Sequence, residues 1–373
     1  MTMHTDFVAA TSHFEDWMRT LISLQESELD YKHIQMATAD SVFPFFRGVY
    51  YRWAEVWPVV CPDCQTAPSV LAVGDLHIEN FGTWRDREGR LVWGINDFDE
   101  ADDLPFTNDL VRLAASAFVG ADGAEFRLTR KKMCRAILTG YTEQLQRGGR
   151  PFVLEEDHQV MRSLATQSDR DPVKFWKKLT ALLKQDPAEI SEEVDTALKR
   201  DLQGASSHAE VRLHLHVGMG SLGKPRYVAL ANLMGAWVAR EAKAITPAAT
   251  VFLNSERPTV SRVGEILSRA VRCADPFHRV DGTMIVRRLA PRCARIEQKM
   301  LTNVKDEKVL FESMGAETAN IHCGSLSSRD AIVSWLAARP ATWLEEAATA
   351  MISATRADWK SWRRYMRQHP KPL

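Results

Sequence analysis

Residues 71–100 read LAVGDLHIENFGTWRDREGRLVWGINDFDE, and the fold turns on how this stretch is interpreted. Two apolar runs, Val70 to Val73 and Leu91 to Ile95, each stop where an acidic cluster begins. Short continuous apolar runs bounded by turn residues suit buried strands. The reading is therefore a pair of strands that carry Asp75, His77, Glu79, Asn80, Asp97 and Asp99 to one sheet edge. The charged, Gly-bearing segment Asp86-Arg87-Glu88-Gly89-Arg90 supplies a hairpin connection between them. Carboxylates this dense repel one another and call for a bound cation, and oxygen donors from Asp and Asn suit Mg²⁺ better than a soft metal.

The wider composition is that of a folded globular chain. Its 373 residues exceed what one compact core needs and predict two lobes, and 45% apolar with 26% charged content argues against disorder. Lys plus Arg and Asp plus Glu both number 48, so no net field draws the whole molecule to nucleic acid or an acidic membrane. No apolar run reaches the ~20 residues of a bilayer span. The first residues lack the basic start and apolar middle of a signal peptide, so a cytoplasmic location is expected. Six scattered cysteines do not form a secreted disulfide framework. Cys61 and Cys64 make one C-x-x-C pair, half of a zinc site, and a Pro-Asp loop leading into the first strand is the simpler reading.

Outward from the central stretch, 9–28 and 31–57 have helical spacing. The second is rich in aromatics from Phe43 to Trp57, a stripe that reads as core, with Arg47 expected either to snorkel outward or to meet an acid of the downstream stretch. Helices are expected over 109–120, 126–147, 155–166, 172–185 and 189–201. The pattern changes at 211. Val211–Val217 alternates as a strand, the glycine-rich Gly218-Met219-Gly220-Ser221-Leu222-Gly223 follows, and then comes a second strand at Arg226–Leu230. Glycines between two strands suit a flap whose backbone closes over phosphates. A third strand over 236–243 brings Arg240 and Lys243, a helix over 259–273 bears Glu265, and a strand covers 283–289. From 294 to 368 the chain is helical again, with Trp335, Trp343, Trp359 and Trp362 facing inward.

Gly74 to Asn80 resembles the G-D-x-H-x-x-N loop of aminoglycoside phosphotransferase-like kinases, and Ile95 to Asp99 resembles their I-x-D-F/W-x segment. A closer similarity is to an uncharacterised bacterial family, a domain of unknown function marked by F-x-F-F-R-G, G-D-x-H-x-x-N-F-G, D-F-D-E and a later G-x-G-S-x-G. These stand here at Phe43–Gly48, Gly74–Gly82, Asp97–Glu100 and Gly218–Gly223. The resemblance implies an α+β, protein-kinase-like, two-lobed fold. Because the glycine flap follows the catalytic loop instead of preceding it, a circular permutation is implied. Large-lobe segments then cover 1–205 and 294–373, and a small antiparallel-sheet lobe covers 211–290.

The same resemblance implies an ATP- and Mg²⁺-dependent phosphotransferase acting on a hydroxyl of an unidentified small-molecule or protein acceptor. Asp75 would be the base, with His77 and Asn80 beside it. Asn80, Asp97 and Asp99 would hold Mg²⁺. Gly218, Gly220, Ser221 and Gly223 would cover the phosphates, Arg240 would stand where kinases carry a strand lysine, with Lys243 nearby, and Glu265 would be its helix partner. His77 and Asp109 would brace the loop, and Glu79, Glu100, Asp102 and Asp103 would shape an acidic mouth suited to a cationic acceptor. Two alternatives share this fold: a nucleotide-binding protein without transfer chemistry, and a nucleotidyl transferase. A binuclear metallophosphatase could also open on G-D-x-H, but its further G-D and G-N-H segments are missing here.

Overall fold

The computed structural model describes residues 6–121, 126–155, 157–167, 170–186, 189–296, 301 and 303–369. Four helices come first: α1 (Phe7–Leu21), α2 (Glu26–Thr38), α3 (Phe43–Gly48) and α4 (Tyr50–Val60). Asp6 caps α1 by accepting from the Val8 N–H at 3.2 Å. The single helix expected over 31–57 is thus three pieces. Pro44 lies in the first turn of α3, where its missing N–H costs nothing but where it cannot continue a preceding helix.

Strands β1 (Ser69–Ala72), β2 (Phe81–Arg85), β3 (Leu91–Ile95) and β4 (Asp102–Pro105) follow. The 86–90 turn joins β2 to β3, with Trp84 opposite Val92, while β1 pairs with β4 in a separate two-stranded sheet. This corrects the expected pairing of 70–73 with 91–95. A five-residue turn can only join the residues that flank it, and Phe81–Arg85 is too mixed in polarity to stand out as a strand.

Next come α5 (Thr107–Ala121), α6 (Arg130–Gln146), the short β5 (Phe152–Val153) against β3, and α7 (Gln159–Gln167), α8 (Pro172–Thr180) and α9 (Glu192–Lys199). Strands β6 (Glu210–Leu213), β7 (Arg226–Leu233) and β8 (Ala236–Ala244) lead into α10 (Ala249–Leu253) and α11 (Val263–Arg269). Strands β9 (Arg279–Asp281) and β10 (Met284–Leu289) complete a five-stranded antiparallel sheet of order β6-β7-β8-β10-β9. β6 stops earlier than the alternation suggested, and His216 beyond it adopts a φ of 58° that a strand cannot accommodate.

Alternation gives this sheet two faces. One packs Val228, Leu230 and Ala239 with Leu179 of α8; the other packs Ala229, Ala231, Ala242, Ala244, Met284 and Val286 with Ala197 and Leu198 of α9. The chain ends in α12 (Val304–His322), α13 (Arg329–Ala337) and α14 (Trp343–Gln368). Trp343 and Trp362 are buried, and Trp335 and Trp359 are partly so. The architecture is α+β, with a large helical core around β1 to β5 and a sheet-rich portion beside it. Among the described residues, no helix is long and apolar enough to cross a membrane.

Candidate active site

The loop from Val73 to Asn80 is held from below by Asp109, at the start of α5. Its carboxylate accepts the Val73 N–H at 2.7 Å and the Gly74 N–H at 2.9 Å. His322 Nε2 meets Asp109 Oδ2 at 3.0 Å, and His322 Nδ1 meets the Tyr141 hydroxyl at 2.8 Å. All three are buried, so this chain of hydrogen bonds fixes the loop from the core.

Asp75 projects from that loop onto Arg112. Arg112 Nε donates to Asp75 Oδ1 at 2.6 Å, and a second donor of the same guanidinium reaches the same oxygen. Arg112 is itself fully buried, with its plane over Phe46, Tyr50 and Trp53 at 4.2, 5.0 and 4.8 Å. The aromatic stripe is core, as its spacing suggested, and also seats this cation. Burial pushes the Asp75 carboxyl up to about 6, with Arg112 pulling against it. Burial and the neighbouring Arg47 hold His77 neutral, well below the usual imidazole range. The His77 N–H donates to Asn80 Oδ1 at 2.6 Å, so these two residues close the loop on itself.

Asp97 and Asp99 follow β3 and meet Lys243 of β8, whose Nζ lies 2.6 Å from Asp99 Oδ2 and 3.4 Å from Asp97 Oδ1. Desolvation opposes charge on Asp97, but Lys243, Arg287 and Arg226 outweigh it and hold the carboxyl well below its ordinary value. Arg240 does not reach this place. Three residues from Lys243 it faces the other side of β8, where its guanidinium stacks on Phe277 at 3.9 Å and donates to the Ala239 carbonyl at 2.9 Å. Glu265 is also elsewhere, paired with Arg262 at 2.8 Å and Arg269 at 2.7 Å on α11. The buried acid on the Lys243 strand is Glu241, gripped by His214 at 2.6 Å, Arg226 at 3.3 Å and Arg287 at 2.5 Å.

The glycine segment 218–223 closes over these groups. A Cβ on Gly220 would lie 3.5 Å from Asp75 Oδ2, at ordinary contact, and 3.0 Å from the Arg47 carbonyl oxygen, where a small shift would be needed. Ser221 Oγ accepts from Arg226. The N-terminal helices secure the segment: Gln25 N–H donates to the Gly223 carbonyl at 2.8 Å, Glu28 takes the His216 N–H at 2.8 Å, and Tyr31 stacks on the His216 ring at 4.1 Å.

Together these elements surround a cavity of about 780 Å³, lined by Asp75, His77, Asn80, Asp97, Asp99, Gly218, Gly220 and Ser221. The size falls in the range of small-molecule sites. Its walls also carry Arg47, Lys174, Lys178, Lys224, Arg226, Arg272, Arg287, Arg288 and Arg295, several contributed by elements that carried no signature in the sequence. Arg112 was detectable in principle as a lone cation in the apolar run Leu110-Val111-Arg112-Leu113-Ala114. Arg272 and Lys224 had no such signal.

The acidic mouth expected from Glu79, Glu100, Asp102 and Asp103 is neutralised. Glu79 pairs with Arg47 at 2.5 Å and with Arg295, Glu100 accepts the Ala249 N–H at 2.6 Å, Asp102 meets Arg257, and Arg262 takes Asp103 at 2.5 Å. Burial pushes Glu100 up to about 7.

As a magnesium site, the oxygen set is suitable but incomplete. Asp99 Oδ1 is buried with no hydrogen-bond partner, Asp97 opens onto the cavity, and Asn80 Oδ1 keeps a lone pair beyond its bond to His77. Among the described residues no group of three or more His, Cys, Asp or Glu side chains is arranged to hold a metal. Magnesium is commonly held by one or two carboxylates together with substrate phosphates and water, which is the part these residues can supply. Cys61 and Cys64 are buried free thiols at the end of α4.

Residues 24–171 match the model of a family described as an uncharacterized protein conserved in bacteria (DUF2252). That stretch contains Asp75, His77, Asn80, Asp97 and Asp99 and leaves the glycine segment and Lys243 outside it. No curated protein and no solved structure matches the chain.

Proposed function

We propose that this cavity binds ATP with Mg²⁺ and transfers a phosphoryl group to the hydroxyl of an acceptor, on a two-lobed protein-kinase-like fold in circularly permuted order. The observation that carries the reading is the meeting of Gly220 with Asp75 at 3.5 Å from the glycine's absent Cβ, inside a cavity walled by lysine and arginine. The order of parts supports it: a glycine turn between the first two strands of the five-stranded sheet, a lysine on the third, and a helix before the fourth.

In this reading Asp75 accepts the proton of the attacking hydroxyl, a task worth ~10²–10⁴ in rate. Arg112 fixes its carboxylate and keeps it ionised at neutral pH. Lys243, not Arg240, is the strand lysine, and Lys224, Arg226 and Arg287 offer charge to a polyphosphate. Asp97, Asp99 and Asn80 would hold the metal, which when bound offsets the negative charge of the phosphates. Nucleotidyl transfer is the second reading. It would apply if the nucleotide lay flipped, with its phosphate end toward Arg226 and Arg287, which line the cavity.

Thermal unfolding tests the shared premise. Mg²⁺–ATP at a hundred times its Kd should stabilise the protein by about 2.7 kcal/mol, and chelation of the metal should remove most of that gain. No shift at millimolar nucleotide would refute both readings. Release of ADP, or of pyrophosphate, tells them apart.

A further inference from the structure

Arg272 stands in an unusual position for a cation. It lies between α11 and β9, on a segment pinned at both sides: the Val271 N–H donates to the Asn320 carbonyl at 3.1 Å, and Trp84 Nε1 donates to the Cys273 carbonyl at 2.9 Å. Its guanidinium lies over the rings of Trp84 at 4.8 Å and Phe98 at 5.0 Å, and it lines the cavity. Nε and Nη1 are buried and have no hydrogen-bond partner.

The recorded hydrogen bonds of the nearby acids go to other donors. Glu317 uses Oε1 on the Ile95 N–H at 3.2 Å and Oε2 on Asn320 Nδ2 at 2.8 Å. Asp275 takes the Phe277 N–H at 3.0 Å and Arg288 at 3.4 Å. A buried, hydrogen-bond-poor guanidinium is costly unless an anion completes it. Aromatic stacking holds the plane of a guanidinium that lines the cavity, and a planar fork of donors suits an oxyanion in bidentate fashion.

We propose that Arg272 forms an oxyanion subsite at the Trp84–Phe98 end of the cavity, which takes a phosphate or carboxylate group of the molecule bound there. The inference goes beyond the nucleotide reading and does not depend on it. It also opposes a cationic acceptor, in line with the neutralised acids at the mouth.

Calorimetric titration of the full chain with inorganic phosphate and with acetate, without Mg²⁺ or nucleotide, tests the subsite. The wild type should bind at least one of the two anions, phosphate alone pointing to a phosphoryl group and acetate to a carboxylate. Arg272→Met should weaken that binding at least tenfold while melting no lower than the wild type in anion-free buffer, and Arg272→Lys should retain part of the affinity. Unchanged affinity in Arg272→Met, a loss seen only in Arg287→Met, or no binding of either anion by the wild type would overturn the proposal. So would a collapse of Arg272→Met on melting, which would make Arg272 the structural counter-charge of Glu317. Because no nucleotide is present, failure here is separable from failure of ATP to bind.

Discussion

Arg112 Nε donates to Asp75 Oδ1 at 2.6 Å across 37 residues of sequence, and the arginine is the more deeply buried of the two. The pair sets how the loop behaves with pH. Asp75 is pushed up to about 6 from an ordinary 3.8, so the folded state holds this proton more tightly than the unfolded chain. The stability it contributes is full below the unfolded value and is lost as pH rises toward 6. Transfer activity runs the other way, because a base must be ionised: the rate should fall about tenfold per unit below the Asp75 pKa. Arg112→Met removes the opposing charge and should move that acid limb to higher pH. Asp75→Asn should spare nucleotide binding and lower turnover by ~10²–10⁴. A pH–rate profile of the three proteins decides this, and an unshifted limb in Arg112→Met would count against Asp75 as the base.

Lys243 and Arg240 offer a paired test of the strand assignment. Lys243→Met leaves two crowded carboxylates without their shared cation, a change that costs less than the ~3–5 kcal/mol of a fully buried pair because the Asp97 side chain is 40% exposed. Its melting temperature should fall, and the stabilisation by Mg²⁺–ATP should fall with it. Arg240→Met loses the stack on Phe277 and the bond to the Ala239 carbonyl, both away from the cavity, and should keep the full nucleotide response. The reverse pattern in a thermal-shift titration would restore Arg240 to the site.

Two glycines of the flap should fail differently. Gly223 has a φ of +94° and a Cβ there would sit 2.6 Å from Leu29 Cδ2, so Gly223→Ala should destabilise the fold by about 1–3 kcal/mol. Gly220 has no such backbone demand, and its added methyl would press on the Arg47 carbonyl and the space above Asp75. Gly220→Ala should therefore keep near wild-type stability and lose nucleotide affinity. Denaturant midpoints measured with and without Mg²⁺–ATP separate the two effects.

Asp109 carries the loop on two backbone donors. Asp109→Ala leaves the Val73 and Gly74 N–H groups buried and unpaired, at about 1–3 kcal/mol each, and removes the partner of His322. Unfolding by denaturant should show a loss of several kcal/mol. A loss below about 1 kcal/mol would mean that water replaces the carboxylate without cost.

Much of this site lies in one short sequence interval, which is why its acids could be found without coordinates. The Gly74–Asn80 loop, the Asp97 and Asp99 segment and the hairpin turn between them depend on neighbours within a few residues. The glycine segment was legible for the same reason, lying between two alternating runs, although β6 ends at Leu213, several residues before it. Strand β2 was not, because Gly82, Thr83 and Arg85 break its apolar pattern and its identity follows only from the turn beside it.

The sequence by itself determined which residue types were gathered: a dense acidic stretch, a flexible glycine turn and a strand bearing two cations three positions apart. Strand alternation required Arg240 and Lys243 to point to opposite faces. Which face met Asp97 and Asp99 depended on how the sheet packs against the large core, and only the tertiary structure decided it for Lys243. The same holds for Arg112 on Asp75 and for Arg272 between Trp84 and Phe98. Local spacing sets the face a side chain occupies, but the partner across that face comes from distant chain, brought there by burial of apolar surface that no short window of sequence encodes.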